Sequence, residues 1–304
     1  MSHETGRPSG PVQWNGRGRT PPGWLRLRQS LERRFYRGEW PARLGAALGM
    51  PLAPRVIQHV IRGPNGLSTG RTLRIAYASD FHAGPTTHPD LLEAACAAMH
   101  ESRPDVLLLG GDFVSLEARH IETLAGMLSK VSAPLGKYAV LGNHDWWTSP
   151  DVIVRQLTLA GVEVLINRNI RLEPPFETVW ICGIDDPWGG SPDAESALAG
   201  ADGTRLVLMH SPSNLLDIGP RRFELALCGH THGGQIALPG GIPVMVPHGP
   251  LCRTYMRGRF DLDSGGVLIV SVGLGCSMLP FRVFAPAEFL LCDFTVPDAA
   301  TRSP

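Results

Sequence analysis

Apolar and polar positions alternate in blocks along most of the chain. From residue 71, short continuous apolar runs end in polar loops, and each loop leads into a stretch of helical periodicity. Residues 73–79 read as a strand that ends in the polar loop 80–85, and 89–101 read as a helix. A second strand at 106–109 ends at Gly110-Gly111-Asp112, with a helix over 116–131. A third at 138–141 ends at Gly142-Asn143-His144-Asp145; Pro150 and Asp151 open the next helix, and Gly161 stops it. Further strands are predicted at 162–166, 179–184, 205–209, 225–228, 267–272 and 289–296. Continuous apolar strands alternating with helices imply an α/β domain whose sheets are covered on their faces.

The flanks differ. Residues 1–23 are rich in Gly, Pro, Ser and Arg and read as a disordered basic tail. Over 24–37, Trp24, Leu27, Leu31 and Phe35 recur near helical spacing among Arg26, Arg28, Arg33, Arg34 and Arg37. That is a basic amphipathic helix, which either packs its apolar stripe on the domain or lays it on an anionic membrane. The expected division is a tail at 1–23, helix and linker at 24–70, the main domain at 71–296 and a tail at 297–304. Residues 237–260 break the alternation. They are Gly- and Pro-rich, apolar, and carry Arg253, Arg257 and Arg259, which suggests a long functional loop or lid.

Composition adds limits. The chain has 304 residues, 43% hydrophobic and 18% charged, with 28 basic and 28 acidic side chains. This suits a globular protein with a full core, and the zero net charge gives no case for a nucleic-acid partner. Residues 1–43 hold nine Arg against three Glu, so a basic arm precedes a mildly acidic body. None of Cys96, Cys182, Cys228, Cys252, Cys276 and Cys292 forms a CxxC pair, and most sit in apolar runs; they read as reduced core residues of a cytosolic-type protein. Arg33-Arg34 before the apolar stretch 44–52 resembles a twin-arginine signal only loosely, so a cytoplasmic, peripherally membrane-associated location is expected over export.

The chemistry lies at the strand ends. Asp80 and His82 follow the first strand, Asp112 the second, Asn143 and His144 the third; His210 ends another, and His230 and His232 follow 225–228. Ligands of open α/β sheets bind at the carboxyl ends of strands. Alone, Asp80-x-His82 or Gly111-Asp112 would be an ordinary turn. Gly142-Asn143-His144-Asp145 and Gly229-His230-Thr231-His232-Gly233-Gly234 are more specific. Mixed Asp, His and Asn donors suit Mn, Fe or Zn rather than Ca or Mg. The set is too large for one tetrahedral ion and fits two ions sharing a carboxylate, roughly 3.5–4 Å apart, a clamp for displacement at phosphorus. Asp185-Asp186 reads as an acidic turn and Cys276 as a packed thiol. His59, His88, His100 and His120 lie outside the motifs, and His248 could reach substrate from the lid.

These blocks resemble the calcineurin-like metallophosphoesterase superfamily over about residues 71–296. The block Gly229–Gln235 and Gly273-Leu274-Gly275 before Pro280 and Arg282 resemble its bacterial branch of YaeI- and YkuE-type phosphodiesterases. The resemblance implies a four-layer α/β/β/α sandwich of two mixed sheets. It implies that Asp80, His82 and His232 bind one metal, that Asn143, His210 and His230 bind the other, and that Asp112 bridges them. His144 would stabilise charge or protonate the leaving oxygen, with Asp145 orienting it. The implied reaction is hydrolysis of a phosphodiester or phosphomonoester of a small molecule or lipid by a metal-bridging hydroxide. A silent metal-binding scaffold and a nuclease are the alternatives. The intact ligand set speaks against the first and the neutral charge against the second.

Overall fold

A computed structural model of the chain describes residues 23–62, 70–247, 249–263 and 265–297. The predicted tails and His248 therefore lie outside the described residues, apart from Gly23 at the N-terminal edge and Pro297 at the C-terminal edge. Twelve strands in two six-stranded sheets and eight α-helices make up the described structure.

The first sheet joins β1 (Arg55–Ile61), β2 (Gly70–Ala78), β3 (Val106–Leu109), β4 (Lys137–Ala139), β5 (Val162–Val164) and β12 (Glu288–Pro297) in the order β1-β12-β2-β3-β4-β5. All its neighbours are parallel except β12 with β2. The second joins β6 (Arg168–Arg171), β7 (Val179–Gly183), β8 (Thr204–Leu208), β9 (Leu225–Cys228), β10 (Gly258–Asp261) and β11 (Val267–Val270) in the order β10-β11-β9-β8-β7-β6. Its edge strands β6 and β10 run antiparallel to their neighbours.

Strand alternation sets the layers. In β2, Leu73, Ile75 and Tyr77 face the second sheet, while Ala76 and Ala78 join the core under α3 (Pro89–Glu101), α4 (Ile121–Ser129) and α6 (Pro150–Leu159). In β9, Leu225 and Leu227 enter the inter-sheet core, while Ala226 and Cys228 pack towards α7 (Ala194–Leu198) and α8 (Leu215–Ile218). Both faces of each strand are apolar because both are buried, which is why the sequence shows continuous runs. The result is the expected four-layer α/β/β/α sandwich of two mixed sheets.

Several expectations are corrected. Residues 55–61, read as linker, form β1 and pair along their length with β12. Their alternating Val, Gln and His pattern is that of a partly exposed edge strand, whose burial comes from a partner far away in sequence. The helix expected over 116–131 is shorter, a 3-10 turn at Ala118–His120 followed by α4. The stretch 237–260 is irregular backbone and turns, as a loop would be, except that its last residues from Gly258 form β10. The site motif at Asn143 opens a short helix, α5 (Asn143–Thr148), rather than a loop.

The basic helix forms as α1 (Gly23–Phe35), but it packs the opposite way from an ordinary amphipathic helix. Gln29 is buried and Glu32 half-buried, whereas Leu27, Leu31 and Phe35 are exposed. A second helix, α2 (Trp40–Ala47), follows and lies against the domain through Pro41, Ala42 and Gly45. Among the described residues no helix is long and apolar enough to cross a membrane. All six cysteines are buried and none is in a disulfide, Cys276 among them as a packed thiol.

Candidate metal centre

The loops after β2, β3, β8 and β9 and the start of α5 bring their polar side chains together. Five of these residues, Asp80, His82, Asp112, His230 and His232, have positive φ although none is glycine. Such backbone costs about 1 kcal/mol or more per residue and persists only where the surroundings enforce it. The turns are packed so closely that glycine is required beside them: a Cβ on Gly142 would fall on the Asp112 carboxylate and the His210 ring.

Two donor groups result. In the first, His82 Nε2 and His232 Nε2 are 3.0 Å apart and His232 Nε2 is 3.5 Å from Asp80 Oδ1. In the second, His210 Nε2 lies 3.2 Å from Asn143 Oδ1 and 3.2 Å from His230 Nδ1. Asp112 stands between them, with Oδ2 3.5 Å from His82 Nε2 and 3.4 Å from His210 Nε2. All of these side chains are buried.

The donor chemistry fits cations. His210 Nδ1 donates to the carbonyl of Gly110 at 2.7 Å, so Nε2 is the nitrogen turned into the site. That nitrogen then faces a carboxylate, an amide oxygen and another imidazole, all acceptor atoms that need a positive charge among them. The surroundings call for positive charge at that nitrogen. Burial alone would lower His210, but Asp112 and then Asp80 and Asp186 outweigh it and hold its pKa well above the usual range. Burial alone would raise Asp112, but His210 and His144 hold it well below the carboxylate range. Burial, with His144, His210 and Arg282 beside it, pushes His82 well down, and burial with His82 and Arg282 does the same to His232, leaving two neutral imidazoles at contact distance. Burial raises Asp80 to about 6, with Asp112 adding to the effect. Neutral imidazoles beside carboxylates are the ligand states a divalent metal takes. Sets of candidate donors occur at Asp80, His82 and His232, at Asp80, Asp112 and His210, and at His82, Asp112 and His144. The residues fit a dinuclear divalent centre.

His144 sits at the edge of this cluster, its ring 4.7 Å from that of His82. Its backbone amide donates to Asp112 Oδ1 at 2.8 Å, and its Nδ1 bonds the carbonyl of Ser115 at 2.8 Å. Asp145 does not orient the ring as expected. Its carboxylate accepts instead from the amides of Phe113, Val114 and Gly142. The reason is local: as the third residue of α5 it reaches back to the residue before the helix, in the manner of a capping side chain. Burial and the neighbouring Asp112 push it up to about 8.

Other residues support the centre that residue type alone did not place there. Ser79 Oγ donates to Asp80 Oδ2 at 2.7 Å. Arg282, buried, bonds the carbonyls of Gly275 and Ala285, and its Nη2 is 3.2 Å from His232 Nδ1. The sequence signal was only an arginine after a glycine-rich stretch. Asp185 and Asp186 form a buried turn, not a solvated one: Asp185 accepts from Trp146 Nε1 at 2.9 Å and Asp186 from the amides of Trp188 and Gly189. His59, His88, His100 and His120 lie away from the cluster, on β1, at the start and end of α3, and beside α4.

Comparison with known proteins shows the family. The family model described as calcineurin-like phosphoesterase matches residues 73–234. An uncharacterized metallophosphoesterase of Aquifex aeolicus is 30% identical over 233 residues, 74% of this chain and 86% of that protein. The metallophosphoesterase YkuE of Bacillus subtilis is 27% identical over 86% of this chain and 96% of its own. The phosphodiesterase YaeI of Escherichia coli is 31% identical over 55% of this chain and 63% of its own. Among solved structures, a dimetal phosphatase from Danio rerio aligns with TM-score 0.47 and 12% identity over 72% of this chain and 98% of that one. The chain belongs to the calcineurin-like phosphoesterase family and is a metallophosphoesterase, a hydrolase of phosphate esters.

Proposed function

We propose that this enzyme cleaves a phosphodiester, with a phosphomonoester as the weaker substrate, through Asp80, His82 and His232 on one divalent ion, Asn143, His210 and His230 on a second, and Asp112 shared by both. The observation that carries the reading is the position of Asp112 Oδ2, 3.5 Å from an imidazole nitrogen of the first group and 3.4 Å from one of the second. When bound, such a pair of ions supplies hydroxide near neutral pH and offsets charge on the phosphoryl oxygens. The protein's own work is positional. The strained turns aim donors inward, and the hydrogen bond from His210 to Gly110 fixes which nitrogen of that ring faces the site. The carbonyl of Ser115 anchors His144 through Nδ1, which leaves Nε2 as the nitrogen that hands a proton to the departing oxygen. Asp145 acts on the backbone, tying the Phe113 and Gly142 amides together so that Asp112 and His144 keep their relation.

Mixed nitrogen and oxygen donors favour Mn, Fe or Zn as the metal. The apolar stretch around residues 237–250 and the arginines of α1 favour a phosphorylated lipid over a small hydrophilic ester, and favour peripheral contact of residues 24–37 with an anionic membrane. The test is direct. The purified chain is analysed for metal content and assayed with bis(p-nitrophenyl) phosphate and p-nitrophenyl phosphate after loading with Mn, Fe or Zn. Two ions per chain and metal-dependent turnover of the diester are expected. One ion per chain, or diester turnover that is unaffected by a chelator, rejects the reading.

A further inference from the structure

The outward side of α1 is chemically the wrong one for a helix packed on a domain. Leu27 is 64% exposed, Leu31 47% and Phe35 66%, at four-residue spacing on one stripe, whereas Gln29 on the other side is 7% exposed. Burying a glutamine and exposing two leucines and a phenylalanine is unfavourable in water, because each large apolar side chain gains when it leaves the solvent. Large apolar side chains also point outward in the chain that follows, where Trp40, Leu44 and Leu48 are exposed at the same spacing while the small Pro41, Ala42 and Gly45 are buried. Charge accompanies it. Arg26, Arg33, Arg34, Arg37 and Arg43 are exposed, while the acids of this segment, Glu32 and Glu39, are only partly so, and Glu32 is paired to Arg28 at 3.2 Å.

This surface continues around the metal centre. Arg28 Nη1 bonds Met278 Sδ at 3.1 Å, and the chain at Gly45 lies against the carbonyl of Pro280, so both helices abut the loop 277–284. That loop exposes Leu279, Val283 and Phe284. Val283 bridges to Ile236, which leads into a turn with Ile242, Val244 and Met245 exposed at 61%, 63% and 57%. No Asp, Glu, Lys or Arg occurs between His232 and Cys252. The centre is beside all three segments. Glu32 of α1 is in electrostatic reach of His144, Arg282 of the loop touches His232, and the turn follows His232 directly.

We propose that α1 with α2, the loop 277–284 and the turn 236–245 form one docking surface for an anionic lipid bilayer, and that it sets the metal centre at the level of the phosphate headgroups. Charge complementarity selects the occupant. An apolar stripe flanked by exposed arginines matches the hydrocarbon boundary and the negative headgroups of a bilayer. A second copy of the chain would set these arginines against each other. The inference rests on the phosphoesterase reading for what is cleaved there, and deepens it by joining the loop 277–284 and the turn 236–245 to the two helices in one surface that places the centre against the headgroups.

The full chain is mixed with vesicles of phosphatidylcholine alone and of phosphatidylcholine with phosphatidylglycerol, and co-sedimentation is measured beside turnover of a soluble diester. Wild type binds the anionic vesicles, and 1 M salt, which shortens the screening length to about 3 Å, weakens binding. Three pairs, Leu31→Glu with Phe35→Glu, Ile242→Glu with Val244→Glu, and Arg33→Ala with Arg34→Ala, each lower binding about tenfold or more. All three keep soluble-diester turnover, which shows that they fold. The proposal is overturned if wild type ignores anionic vesicles, if the pair at 242 and 244 binds as wild type does, or if light scattering shows a dimer that these pairs dissolve. Loss of soluble turnover in metal-loaded wild type, with vesicle binding intact, would reject the hydrolase reading and leave the docking surface standing.

Discussion

The amide of His144 donates to Oδ1 of Asp112 while Oδ2 of the same carboxylate faces His82 and His210. One side chain thus joins both donor groups and holds the backbone of the residue proposed to handle the leaving-group proton. Geometry of this kind makes the metals and the proton donor depend on a single position, and the dependence can be separated by mutation.

Asp112→Asn keeps an oxygen for the His144 amide but removes the charge shared by the two groups. Metal content, measured by mass spectrometry of the purified protein, should fall from two ions to one or none, with diester turnover reduced to background. In metal-free protein the melting temperature should differ little from that of metal-free wild type, because the loop keeps its hydrogen bond. Two tightly held ions in this variant would remove Asp112 from the bridging role.

His144→Ala should leave metal content unchanged, because that ring is proposed as proton donor and not as ligand. Turnover should fall by roughly 10²–10⁴-fold, the usual contribution of a positioned acid or base. Substrates with a better leaving group should suffer less, since their oxygen departs without a proton. A variant with wild-type turnover on a poor leaving group would end that assignment.

The strand-end positions of the donors were legible because parallel strands buried on both faces leave continuous apolar runs, and whatever follows each run lies at one edge of the sheet. What orients them was not. The carbonyls of Gly110 and Ser115 hold His210 and His144, and a backbone carbonyl carries no signal in residue type. The strand β1 was missed for a related reason: Arg55–Ile61 is an edge strand whose pairing with β12 is fixed by residues more than two hundred positions away. Periodicity found α1 but could not tell which face would turn inward, because docking through Gln29 and Glu32 contradicts the hydrophobic rule on which that reading depends.

Asp186 gives a pH signature. Burial raises its carboxyl to about 7, and Oδ1 is a buried oxygen with no hydrogen-bond partner. In the unfolded chain the group ionises near pH 4. Between about pH 4 and 7 the folded state binds a proton that the unfolded state has lost, so its contribution to stability is full below pH 4 and falls as pH rises towards 7. In metal-free protein, Asp186→Asn should flatten this slope and be more stable than wild type at pH 8, by a couple of kcal/mol at most. Denaturant unfolding at pH 5 and pH 8 measures it, and an equal slope in both proteins would locate the proton elsewhere.

Metal removal should be felt as lost stability as well as lost activity. The cluster crowds two carboxylates and four imidazoles, and five of its residues lie in strained backbone, so the folded state is held against its own repulsion and strain unless cations are present. Ions that bind only the folded chain stabilise it by about 2.7 kcal/mol at a hundredfold excess over Kd. For a chain of this size that corresponds to a rise in Tm of roughly 5 °C. Chelator-treated protein titrated with Mn should show Tm climbing with metal concentration. In Asp112→Asn the climb should shrink or vanish, since that carboxylate is shared. A Tm independent of metal in wild type would mean that the cluster is held together without cations, and the two-ion reading would fail with it.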